Sequence, residues 1–92
     1  MPPKNRAPTT PGEVLEKEFL APTKMTQGEL AKRMGTTIQT VNQIIRGKRS
    51  VTAATALRLA RVFDTTPQFW LNLQNAVDLW KAREEMESAA HA

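Results

Sequence analysis

The stretch Thr26–Arg49, TQGELAKRMGTTIQTVNQIIRGKR, sets the architecture of the 92-residue chain. Its pattern predicts two short helices joined by a tight turn. Thr26 is a good N-cap and Glu29 completes a capping box, so a helix starts at Gln27. Leu30, Ala31 and Met34 fall on one inward face of that helix. Gly35 supplies the left-handed residue that ends it. Thr37 caps the second helix, whose Val41, Ile44 and Ile45 again share a face. On its opposite side stand Gln39, Asn42, Gln43 and Arg46, at i, i+3, i+4 and i+7. Such a helix has an apolar back and a front of amides and one cation. Amides pair bidentately with adenine edges in a DNA major groove, and arginine reaches guanine or phosphate. Ile38 lies at the border of the two faces. It either buries against the core or meets a thymine methyl.

Charge strengthens the nucleic-acid reading through its distribution. From Lys24 to Arg61 the chain has eight basic residues and one acid, Glu29. From Asp64 to the end, five acids face Lys81 and Arg83, whereas the first 23 residues balance at three and three. A basic middle between a neutral start and an acidic end predicts a polyanion partner for the middle alone. Gln27, Arg46, Lys48 and Arg49 are the expected phosphate contacts. The last two lie in the loop that Gly47 opens at the end of the second helix.

Other chemistries find little here. There is no cysteine, which fits a cytoplasmic setting and removes disulfides and thiol catalysis. The only histidine, His91, sits next to the end, so no Cys/His set binds zinc. There is no glycine-rich phosphate loop, and no apolar run is long enough for a membrane span. The first residues, MPPKNRAPTTP, lack the apolar core of a secretory signal. The expectation is a non-enzyme without metal or cofactor.

The flanking segments complete a five-helix, all-α plan. Residues 1–10 read as a flexible arm, with Lys4 and Arg6 within reach of phosphates as the alternative role. Thr10–Pro11 is a cap followed by a first-turn proline, and Pro22 is expected to stop that helix near Leu20. Gly28 weakens the helix begun at Gln27 by about 1 kcal/mol relative to alanine. Thr52 caps a fourth helix with Ala56, Leu57, Ala60 and Phe63 at core spacing and Arg58 and Arg61 pointing away. Thr66–Pro67 starts a fifth, whose Phe69, Trp70, Leu73, Ala76, Val77 and Trp80 form a stripe expected to bury. All five aromatics are assigned to the core. Leu71, Asn75, Leu79 and Ala82 fall on the far side of the fifth helix, as a second strip suited to a dimer seam. The domain is expected over residues 11–86, with 87–92 frayed.

The helix pair resembles the helix-turn-helix of phage repressors of the lambda type, and several stretches together narrow the likeness. PGEVLEKEFL at 11–20, GKRSVTAATALRLARVF at 47–63 and TPQFWLNLQNAVDLW at 66–80 are similar to the HigA-type antitoxins of bacterial toxin–antitoxin operons. The resemblance implies a homodimer that binds a palindromic operator of its own operon. It also implies a toxin resembling the RelE type, a ribosome-dependent mRNA endonuclease, that the antitoxin sequesters. The family's recognition positions match Thr37, Gln39, Thr40 and Gln43, and Ile38 stands where related repressors often carry a polar residue. An mRNA endonuclease needs a basic surface, so Glu13 and Glu16 on the first helix are the expected toxin contacts. A repressor without a toxin is the alternative that the residues alone leave open.

Overall fold

The first helix begins where the sequence predicts and then departs from ordinary geometry. In a computed structural model that describes residues 7–90, the Thr10 side chain accepts from the Glu13 N–H and Pro11 occupies the first turn. Helix α1 runs in α geometry over Pro11–Val14, in π geometry over Leu15–Leu20, and again in α geometry over Ala21–Thr23. Pro22 therefore does not stop it at Leu20. The π segment carries i−5 bonding, with the Ala21 N–H on the Glu16 carbonyl, which displaces the carbonyl that a proline ring would otherwise strike. The Thr23 hydroxyl takes the freed Phe19 carbonyl at 2.6 Å, and left-handed Lys24 (φ 56°) closes the end.

Four further helices follow: α2 over Gln27–Met34, α3 over Ile38–Ile45, α4 over Ala53–Phe63 and α5 over Pro67–Ala90. All regular structure among the described residues is helical, and no described helix is long and apolar enough to cross a membrane. Thr26, Thr37 and Thr52 each accept from the backbone N–H three residues on, and Gly35 ends α2 at φ 72°. Helix α5 continues past Met86, where the domain was expected to end. Nothing between Gln68 and Ala90 is a glycine or a proline, and the last turns are rich in Ala and Glu. The arm cations Lys4 and Arg6, and His91, lie outside the described residues.

The core draws on all five helices. Leu15, Leu30, Val41, Ile44, Leu59 and Trp70 are the largest side chains that it closes completely. Around Trp70 stands an aromatic group: Phe19 lies 5.1 Å away between ring centroids, and Phe69 meets it edge-on at 5.0 Å. The Trp70 indole N–H donates to Thr65 Oγ1 at 2.8 Å, so its polar edge is satisfied.

Leu57, Phe69, Ala76 and Leu71 lie elsewhere than expected. On α4, Leu59 is buried and Leu57 is 51% exposed, because Leu59 shares the face of Ala56, Ala60 and Phe63 while Leu57 lies about 100° around. Phe69 is 38% exposed and Ala76 is exposed, since the α5 stripe is wider than the surface that α1 and α4 offer it. Leu71, expected on the far side of α5, packs against the core. The first turns of α5 are flanked by α4 and α1 together, so more than one of its faces is covered.

Gly12 shows how tightly α1 sits on α3. A Cβ added there would lie 2.6 Å from the Ile45 carbonyl oxygen and 2.8 Å from its Cα, and would strike the Ile44 carbonyl oxygen as well. Backbone cannot give way as a side-chain tip can. Gly28 is different, for its added Cβ would meet only Ile38 Cδ1 at 3.7 Å and Thr26 Oγ1 at 3.9 Å. Gly12→Ala is expected to cost about 3 kcal/mol or more and to lower Tm by roughly 10–20 °C. Gly28→Ala is expected to add about 0.5–1 kcal/mol. Thermal melts of both decide this, and a Gly12→Ala protein melting like the wild type would contradict the α1–α3 contact.

Candidate nucleic-acid interface

Helix α3 is anchored from behind by Val41 and Ile44 and is open in front. Gln39 and Arg46 are exposed, Asn42 and Gln43 are half-buried, and Thr37 and Thr40 stand at its first turn. The Thr37 and Thr40 hydroxyls lie 2.9 Å apart while Thr37 caps the Thr40 N–H at 3.1 Å. Ile38 is 58% exposed, so burial, one of its two expected roles, is not what the fold does with it. Its Cδ1 faces Gly28 of α2, where the missing side chain leaves the isoleucine open to solvent.

Two of the amides of this face are held by neighbouring side chains. Asn42 Nδ2 donates to Gln27 Oε1 at 3.2 Å, tying the front of α3 to the first turn of α2. That pairing leaves Gln27's own amide hydrogens free to donate outward and commits one of Asn42's donors. Arg49 Nε donates to Gln43 Oε1 at 2.9 Å, so a phosphate candidate and a base-edge candidate hold each other. The loop behind them folds onto the end of α3: the Lys48 and Arg49 N–H groups both bond the Gln43 carbonyl, at 2.8 and 3.2 Å, past left-handed Gly47 (φ 73°). Arg46, Lys48 and Arg49 are thereby gathered, exposed, at one end of the helix. Oriented amides flanked by cations are suited to hold base edges and phosphates together.

Two residues that steady this face were not anticipated. Gln74 of α5 is buried, and its Oε1 accepts from the Val51 N–H at 2.8 Å while its Nε2 donates to Asp78 at 2.9 Å. It pins the chain between α3 and α4. Its signal in the sequence was an amide on the face that Trp70 and Val77 bury. Arg58 is no free surface cation, because its Nη1 donates to the Met34 carbonyl at 2.6 Å and closes the last turn of α2 from α4. Away from this face, Glu13, Glu16, Asn75, Leu79 and Ala82 are exposed.

Comparison with known proteins places this geometry. The family model described as Helix-turn-helix matches residues 17–70. An uncharacterised helix-turn-helix transcriptional regulator of Escherichia coli is 46% identical over 83 residues, covering 90% of this chain and 74% of that protein. The antitoxin HigA-1 of Vibrio cholerae is 44% identical over 85 residues, covering 92% and 80%. Among solved structures, the antitoxin HigA of Pseudomonas aeruginosa, determined with the higBA promoter, superposes with a TM-score of 0.85 at 38% identity, covering 90% of each chain. This chain belongs to the helix-turn-helix family and, within it, to the HigA-like antitoxins.

Proposed function

We propose that the chain is a cytoplasmic antitoxin that, as a homodimer, represses its own operon through a palindromic operator and neutralises a RelE-like mRNA endonuclease. The observation that carries the DNA half is the front of α3, where amides are held in pairs beside a loop with three exposed cations. Thr37, Gln39, Thr40 and Gln43 face base edges. Asn42 acts with them, chiefly by holding Gln27 toward the backbone, and Arg46, Lys48 and Arg49 hold phosphates. Asn42 with Gln27, Gln43 with Arg49 and Thr37 with Thr40 already hold one another, so those side chains lose little rotamer freedom on binding. The solved operator and promoter complexes of related antitoxins support this half.

A two-fold dimer sets its two α3 helices about one DNA turn apart, roughly 34–36 Å, and reads a palindrome. Asn75, Leu79 and Ala82 are the exposed part of the seam, with Leu71 offering only the edge that the core leaves uncovered. The toxin takes another surface. A partner that holds RNA is basic, so the exposed carboxylates of Glu13 and Glu16 suit it, and α1 is already ordered by Leu15 and Phe19. This arrangement lets operator and toxin be held at once.

Gln43→Ala is expected to cost about 1–3 kcal/mol on the operator and to relax preference at one base pair, while Lys48→Ala weakens operator and random duplex alike. Gel-shift titrations of both variants on both duplexes separate the roles, and full operator affinity in Gln43→Ala would overturn the base-reading assignment. For the toxin, Glu13→Lys with Glu16→Lys should weaken its binding and leave operator affinity equal or higher. A toxin that still binds the doubly reversed protein fully excludes the acidic-helix surface. Competition between toxin and operator excludes separate surfaces.

A further inference from the structure

The operator reading leaves two features of the chain unused, and they complement each other. The first lies on α2 and α4. Arg33, Met34, Ala54, Leu57, Arg58 and Arg61 line a shallow hollow of about 310 Å³. Leu57 is half-exposed there, with Arg61 one turn further along its own helix and Arg33 across on α2, both exposed. Arg58 is spent on the Met34 carbonyl, and Glu29, the one acid between Lys24 and Arg61, bonds Thr26 at the start of its own helix. An apolar spot between two guanidinium groups fits a short acidic segment that carries one apolar side chain.

The second feature is such a segment. Helix α5 runs on beyond its last buried residue, Val77, and every residue from Lys81 to Ala90 is exposed. Within it Met86 is 72% exposed and stands between Glu85 and Glu87, so a carboxylate lies on either flank of the apolar group. The helix has no break that would let this end fold back onto α2 and α4 of the same chain.

We propose that the acidic end of α5 in one copy docks on the Arg33–Leu57–Arg61 hollow of a second copy, Met86 against Leu57 and the glutamates against the arginines. The contact joins two different surfaces, so it does not close on itself, and each docked pair still offers one free hollow and one free end. It is small and largely ionic. It is therefore weak, salt-sensitive and effective where copies are crowded, as on neighbouring sites along one duplex.

The test uses the free full-length protein without DNA, so its outcome does not depend on the operator reading. Sedimentation equilibrium of the wild type is expected to show mass rising with concentration beyond that of the two-fold dimer at about 50 mM salt, with this further association falling roughly tenfold or more by about 300 mM. Arg33→Glu with Arg61→Glu should abolish association beyond the two-fold dimer, and so should Glu85→Lys with Glu87→Lys. All four positions are exposed, so circular dichroism should match the wild type. An equimolar mixture of the two variants should recover the rise, because one supplies the native acidic end and the other the native hollow. A wild type whose mass does not rise beyond the dimer's at low salt overturns the proposal. So does either variant that still assembles beyond the dimer, or a mixture that does not.

Discussion

The bond from the Val51 N–H to the Gln74 amide is the constraint on which the candidate nucleic-acid interface rests. It is buried, at 2.8 Å, and it joins the segment after α3 to the middle of α5. A buried backbone N–H without a partner costs about 1–3 kcal/mol, so this one interaction opposes any drift of the loop away from the core. Since Lys48 and Arg49 bond back to Gln43 just ahead of it, loop and helix end are held as one piece. Gly12 fixes the same piece from the other side, its backbone lying directly on the Ile44 and Ile45 carbonyls. The recognition helix is thus positioned at its C-terminal end by contacts that a modest displacement would break.

Its N-terminal end is governed by different means. The Asn42–Gln27 pair ties α3 to α2, and Arg58 closes the α2 end from α4. Polar side chains paired within the face need little reorganisation to meet a duplex. The charge is also divided between surfaces. Cations gathered at the end of α3 suit phosphates, whereas the carboxylates of α1 and the end of α5 lie outside that field and suit basic protein surfaces.

What the sequence made legible was local. Caps at Thr10, Thr26, Thr37 and Thr52 depend on three-residue spacing, and left-handed Gly35 and Gly47 on the freedom of glycine alone. The amide front of α3 could be read because its spacing follows from helix geometry. What stayed hidden depended on residues far apart in the chain. Gln74 meets Val51 across 23 residues and Arg58 meets Met34 across 24, and neither pattern exists within one helix. Leu57 was expected in the core instead of Leu59 although the spacing within α4 puts Leu59 with Ala56, Ala60 and Phe63, so this signal was legible. Pro22 misled because its cost can be absorbed by a π segment, which no spacing rule announces. The aromatic assignments failed only at Phe69, on the rim of the stripe.

The central claim is that the loop after α3 grips DNA phosphates while α3 lies in the groove. The salt dependence of operator binding measures this most directly, because each neutralised phosphate releases counterions. With Arg46, Lys48 and Arg49 acting in both copies of a dimer, a plot of log K against log salt is predicted to have a slope of roughly −5. A slope near zero on a specifically bound operator would contradict the account.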